Sequence, residues 1–426
     1  MRIKQRSILS IILVASIILF MQPYFTWSSY PYHLFFNILQ YIILFVGMAF
    51  SLQNLCVNIH KISTAHIFST GIFAVFSFYF YCTGENSLIG HWGILAQYFF
   101  ILLYFTLDDS LKRQCFDSLR KVFAVLLIPS IIVFVLKTVD FQLPYTLLED
   151  YHSASTRIYL HFPLSILTAT IYSISTPMMR LCGFLDEPGA LGTFISLILC
   201  ATDFNLKDRY NQILLLAGCL TLSTAFFILS ITYFILAKIV YLFPHHKISK
   251  LTLWSILLIL AAIVLLGQTS FLKTSTHMIF NKFHTRDLRG TNYILDQTKA
   301  EFGNNFPKYI FGNGLYSGNY DGNFSWPILL HDVGIIGILL TIIYILFIQY
   351  NRKWIWKKEV YRFLMLLSLL QRPYILTIPY ILIYTMGLLN LESQSPKITF
   401  RLKYANTKIL ENLNENLSSY PRTCGF

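Results

Sequence analysis

The feature that most limits what this chain can become is a series of apolar runs, each near the length of a membrane-crossing helix, separated by short polar links. A helix crosses the hydrocarbon core with about 20 mostly apolar residues, and in lipid every backbone N–H and C=O must be satisfied within such a segment. Runs of this kind lie at 8–22, 34–52, 66–82, 88–107, 119–137, 188–202, 212–222, 225–243, 252–269, 327–349, 360–370 and 374–391. The expected fold class is therefore all-α: a polytopic membrane helix bundle of about 12 transmembrane helices in a single integral membrane domain over residues 1–426. Charged residues make up only 12% of the chain and the mean hydropathy is +0.57. That balance argues against a soluble enzyme and a disordered chain.

Lys and Arg exceed Asp and Glu by 33 to 20, a net charge of +13. Their placement decides what this means. With the amino terminus (Arg2, Lys4, Arg6) in the cytoplasm, the short cytoplasmic connections hold 16 Lys/Arg, including Lys61, Lys112–Lys121, Lys207, Arg209, Lys247, Lys250 and Arg352–Lys358. The short external connections hold one, Arg372. An even number of spans returns the basic tail, 392–426, to the cytoplasm, so the charge follows topology and implies no nucleic-acid partner. Both termini are expected in the cytoplasm of a multi-pass inner-membrane protein, and the first apolar stretch lacks a cleavage pattern for a signal peptide.

Two stretches need a break. Residues 213–243 are almost continuously apolar, too long for one ordinary span and short for two, so Thr221–Thr224 is read as the join of two short or tilted helices. Gln371-Arg372-Pro373 interrupts the run between 363 and 391 in the same way. The seven cysteines, at 56, 82, 115, 182, 200, 219 and 424, show no paired spacing, which leaves no evident disulfide framework or zinc ribbon. The 11 histidines are scattered without ligand spacing, so no metal and no cofactor are expected.

With other connections short, the chemistry is expected in two long external loops, 138–187 and 270–326. The first includes an aromatic stretch, Tyr159 to Tyr172, that suits the membrane interface, and ends in Arg180-Leu-Cys-Gly183-Phe184-Leu-Asp186-Glu187-Pro188-Gly189. The second holds Arg286-Asp287-Leu-Arg289-Gly290, the turn Gly312-Asn-Gly314-Leu315, and the entry Asp332-Val-Gly334-Ile-Ile-Gly337 into the next helix. The first of these resembles the R-x-x-G-F-x-x-E-P signature of Wzy-type polymerases of O-antigen and capsule repeat units, in the O-antigen polymerase/ligase-like superfamily. The late external loop, its arginines and the glycine-bearing helix entry extend the resemblance. The match in residues covers about 60 positions of the chain.

The resemblance implies a GT-C-like helix bundle that joins undecaprenyl-diphosphate-linked oligosaccharides at the outer face of the cytoplasmic membrane. It implies an inverting, metal-independent glycosyltransferase, with membrane lipids, a chain-length regulator and a flippase as partners. Arginine suits the diphosphate because its planar fork is always charged and bonds phosphate oxygens in pairs. Arg180, Arg286 and Arg289 are the candidate diphosphate ligands. Arg180 also suits a snorkelling side chain ahead of a span, and Arg286 and Arg289 equally suit a solvated pairing with Asp287. A general base must take the acceptor hydroxyl proton. Glu187 and Asp186 come first, followed by Asp332 and His331. Glu187-Pro188 also reads as a helix start, and His331-Asp332 as a hydrogen-bonded pair inside the bundle, although ionisable groups in spans are functional candidates. Related ligases carry a histidine about three turns before this glycine pair; this chain has Asn323 there, beside Asp321, and both are kept as substrate-binding candidates.

Two other functions fit less well. An O-antigen ligase would use lipid A core as acceptor, and the absent histidine counts against it. A lipid-linked oligosaccharide flippase would place charges in a central cavity, whereas here they concentrate in loops. Dolichol-phosphate-sugar transferases carry an acidic motif in the first external loop, and residues 23–33 contain no acid. The orientation gives a direct expectation: a reporter fused after Phe426 reads cytoplasmic and one inserted at Asn304 reads external, in a paired phosphatase and fluorescent-protein assay. A cytoplasmic Asn304 overturns the site assignment.

Overall fold

In a computed structural model, the chain is described from residue 3 to residue 394, except at 28–29, 59–61, 84–87, 140, 150–156, 164, 171–177, 186, 243–290, 316, 318–325, 350–354, 371 and 373–376. The described part is mostly helical. The first half runs α1 (Ile3–Leu19), α2 (His33–Asn58), α3 (Thr64–Cys82), α4 (Leu88–Phe105), α5 (Asp109–Thr138), a four-stranded sheet, α6 (Pro188–Ala201), α7 (Arg209–Leu220) and α8 (Thr224–Leu242). The second half runs α9 (Thr291–Phe302), α10 (Phe306–Phe311), α11 (Pro327–Phe347), α12 (Trp356–Leu369) and α13 (Ile378–Gln394). Four described helices, within α2, α3, α5 and α11, are long and apolar enough to cross a membrane. On α2, Phe35, Ile38, Ile42 and Phe45 are exposed, as are Val125, Ile132 and Val135 on α5. Such apolar flanks suit lipid and would be a liability in water.

The all-α expectation needs a correction. The first long loop folds into an antiparallel meander, β1 (Thr146–Glu149), β2 (Arg157–Phe162), β3 (Ser165–Thr170) and β4 (Met178–Gly183), paired in that order. The stretch read as interfacial from Tyr159 thus becomes β2 and β3, with Tyr159 opposite Thr168 and Arg180 opposite Thr168 from the other side. Its β-branched and aromatic residues suit a pleated, half-buried surface, and mutual pairing satisfies backbone groups that a single interfacial strand would leave to lipid or water. Tyr159, Phe162, Ile166 and Leu181 pack into the core.

The sheet is fastened to the link between α1 and α2. Tyr24 N–H donates to the Phe184 carbonyl at 3.0 Å and Pro23 bridges Leu185. Tyr24 lies 4.9 Å from His161 and Trp27 lies 5.2 Å from Tyr159, centroid to centroid. Burial lowers the pKa of His161, which favours a neutral ring in this aromatic cluster.

Both expected breaks are present. α7 ends at Leu220 and α8 begins at Thr224, with Leu222 in a left-handed conformation (φ 49°). α12 ends at Leu369 and α13 begins at Ile378. α6, α7 and α12 have 14, 12 and 14 residues, so at about 1.5 Å per residue each is roughly 20 Å long, short of the ~30 Å hydrocarbon thickness. The 252–269 span lies outside the described residues, as do 270–290 of the second loop and the tail after 394. Within 291–311 that loop forms two helices, α9 and α10.

α11 is two helical stretches meeting at Gly334 (φ 62°, ψ −172°). The extended segment after α10 crosses it there: Asn313 and Gly314 N–H donate to the His331 and Asp332 carbonyls at 2.8 and 2.7 Å. A Cβ on Gly334 would overlap the Ile310 carbonyl and the Gly312 nitrogen, both backbone atoms that cannot swing aside. Gly334→Ala is therefore expected to cost about 1–3 kcal/mol from the dihedral alone, with overlap added. A melting temperature in detergent equal to that of the parent would refute this.

Candidate functional site

The described ion pairs sort to two ends of the bundle. At the end opposite the sheet, Arg6 pairs with Asp108 at 2.7 Å, Arg120 with Asp208 at 2.7 Å, Lys357 with Asp203 at 2.5 Å and Lys358 with Glu392 at 3.2 Å. These hold helix ends together where the basic links cluster. The sheet-bearing end holds two further constellations, and they contain the described site candidates.

The first surrounds the start of α6. β4 delivers Arg180, then Gly183 turns the chain with φ +66°, so close to α5 that a Cβ would meet the Leu127 side chain at 2.6 Å. The chain then reaches Glu187 and enters α6 at Pro188, whose missing N–H costs nothing at a first helical position. Arg180 Nε and Nη2 donate to the Thr221 and Leu222 carbonyls at 3.1 and 3.3 Å. At least two of its donors thus serve the α7–α8 break, a role that neither the diphosphate nor the snorkelling reading foresaw. Glu187 is the residue preceding α6, but its carboxylate makes no capping hydrogen bond. It accepts from Nη2 of Arg372, in the α12–α13 link.

The second lies at the break in α11. His331 is buried, with its Nδ1 3.0 Å from Asp332 Oδ1 and its Nε2 2.7 Å from Glu301 Oε2 on α9. The Phe302 ring stacks on the imidazole at 5.4 Å, and Asn313 Nδ2 donates to Glu301 Oε2 at 3.3 Å. A carboxylate at each ring nitrogen suits an imidazolium, in which both nitrogens donate. The Tyr79 hydroxyl donates to the Val333 carbonyl at 2.9 Å, joining α3 to the same break. The two constellations share an edge of the bundle, since Trp326 N–H, at the head of α11, donates to the Leu370 carbonyl at 3.3 Å, two residues from Arg372.

Of the nine residues singled out in the sequence, Arg180, Glu187, His331 and Asp332 are described, and all four lie at the sheet-bearing end. Asp186, Arg286, Arg289, Asp321 and Asn323 lie outside the described residues. Two partners were missed. Arg372 had a signal: it is the one cation in a short connection on that side, at an interruption of an apolar run. Glu301 had none, because nothing in Lys299-Ala-Glu301-Phe302 marks it as the partner of a histidine 30 positions later. No protein-family model matches the chain, and neither a curated protein nor a solved structure gives a significant match.

The hydrogen bond from His331 is the largest influence lowering the pKa of Glu301 from its ordinary 4.5. A carboxyl depressed in the folded state stabilises above its unfolded value and loses that contribution as pH falls through its folded value. Hydrogen-exchange protection of α9 is therefore expected to hold from neutral pH to about 4.5 and to decline below it. In Glu301→Gln, α9 should be less protected at neutral pH, with no such decline. A parent-like profile in that variant would remove the Glu301–His331 contact as the tie.

Proposed function

We propose that the chain is a polymerase that joins polyprenyl-diphosphate-linked oligosaccharide repeat units at the outer face of the cytoplasmic membrane, in O-antigen, capsule or related envelope polysaccharide synthesis. In this reading the bundle has about 12 transmembrane helices, both termini are cytoplasmic and the sheet-bearing end is external. The observation that carries it is the meeting of Glu187 and Arg372 at the head of a short helix, directly after the strand bearing Arg180. An acid and a guanidinium held together at a broken part of a membrane bundle supply the two things this transfer needs, a proton acceptor and a receptor for phosphate charge.

The chemistry is a single displacement with inversion. The acceptor sugar's hydroxyl oxygen attacks C1 of the donor's reducing-end sugar, the O–H bond breaks and the new glycosidic bond forms. The C1–O bond to the diphosphate breaks, and the lipid diphosphate leaves with the electron pair. The hydroxyl proton passes to a carboxylate, for which Glu187 is the first candidate. Arginine N–H groups fixed in place stabilise the negative charge that grows on the leaving oxygen. Irregular backbone at membrane depth is tolerated where it is buried in protein or lines a cavity, and broken helices recur at the binding sites of membrane transport proteins. The α7–α8 and α12–α13 breaks fit that role here.

Arg180 and Arg289 should separate under substitution. Arg180→Lys cannot reproduce the fork on two carbonyls, so it should lower the melting temperature and shorten the polymer together. Arg289→Lys should abolish chain extension at unchanged melting temperature and protein level, leaving single repeat units on the cell surface. Full-length polymer from Arg289→Lys would remove Arg289 from diphosphate binding.

A further inference from the structure

Arg372 is 4% exposed, and its Nε has no hydrogen-bond partner among the described residues. A guanidinium carries five N–H donors, and burying one with donors unused is expensive. Its described side-chain partner is one carboxylate, that of Glu187, reached through Nη2. The backbone behind it is fixed, since Arg372 N–H donates to the Ser368 carbonyl at 2.9 Å. The carboxylate is the more accessible member, with its side chain 16% exposed against 5% for the arginine. Glu187 also stands at the head of α6 without capping it, so the helix's first turn adds a second attraction for negative charge at the same place.

We propose that Arg372 is the receptor of an anion-binding site for a phosphoryl group, and that Glu187 is its built-in occupant, displaced when the phosphoryl group arrives. The identity of that anion as a lipid diphosphate rests on the polymerase reading; the exchange itself does not. Three phosphoryl oxygens can engage Nε, which the Glu187 carboxylate leaves without a partner among the described residues, together with the Nη groups. Displacement also changes what Glu187 can do. While its oxygen accepts from Arg372 it is occupied; once displaced, it stands beside the donor with that oxygen able to take the acceptor hydroxyl's proton. The base is thereby freed only when the donor is bound, which orders the reaction: donor first, then proton transfer from the acceptor hydroxyl.

The test uses the full chain in lipid nanodiscs, with calorimetric titration of inorganic pyrophosphate and, separately, farnesyl diphosphate. Removing the resident anion in Glu187→Gln should tighten pyrophosphate binding at least tenfold while polymer formation is lost. Arg372→Gln should abolish binding of both probes. A purely structural tie predicts the reverse for Glu187→Gln, a lower melting temperature with no gain in affinity, and that result overturns the proposal. Should Arg372→Gln fail to accumulate, the sign of the change in Glu187→Gln decides alone. Tighter binding of farnesyl diphosphate than pyrophosphate assigns a lipid-linked ligand, and equal binding a free phosphate. A tenfold gain in Glu187→Gln, in a chain whose parent makes no polymer, keeps the exchange and removes the polymerase reading.

Discussion

A membrane bundle with short and broken helices must find donors for carbonyl oxygens that no following turn can reach. In water those oxygens would be hydrated; inside apolar surroundings each would cost several kcal/mol. The chain meets this need repeatedly with side chains from other elements, some adjacent in sequence and some distant. Lys112 Nζ donates to the Phe105 carbonyl at the end of α4, Asn390 to Ala201 at the end of α6, and Arg362 to Ile348 after α11. Arg180 does the same for the α7–α8 break, and the 312–314 segment does it for the break at Gly334 using its own backbone. Each of these closures ties two elements together at a place where one of them ends or breaks.

The same demand separates structure from chemistry among the charged residues. Arg362 is buried with the Glu359 carboxylate close by, and its Nη2 donates to the Ile348 carbonyl just beyond α11, at the end opposite the sheet. Glu187 and Arg372 are different. Their described contact closes no helix carbonyl, and the glutamate leaves the first turn of α6 uncapped. Arg180, in the same motif, closes carbonyls at the α7–α8 break, while Glu187-Pro188 stands where the helix-start reading put it, at the beginning of α6.

The sequence made the helical architecture readable because lipid imposes a length and a composition, and both survive in a single chain. The breaks at Thr221–Thr224 and at Gln371–Pro373 were readable for the same reason, since each interrupts a run whose length is wrong. The sheet was not. Its strands are short, and Tyr159 to Tyr172 carries no clean alternation, so an interfacial reading served equally well until pairing with Met178–Gly183 was visible. The Glu187–Arg372 and Glu301–His331 contacts join residues 185 and 30 positions apart, and such pairings depend on how helices pack rather than on local pattern. The motif located one half of each pair and could not name the other.

The separation of Glu187 from Arg372 also has a temporal side. At about 5–20 residues per second of synthesis, roughly 10–40 s pass between the emergence of the glutamate and that of its arginine. During that interval α6 and the strand ahead of it can insert and pack, while the acid waits beside a helix head with its eventual counter-charge not yet made. A chain arrested between Gly189 and Arg372 carries the whole signature motif without the arginine that Glu187 contacts in the complete fold. The tie between this acid and its arginine can therefore form only after α12 has been made, which places it among the later contacts of the bundle to close.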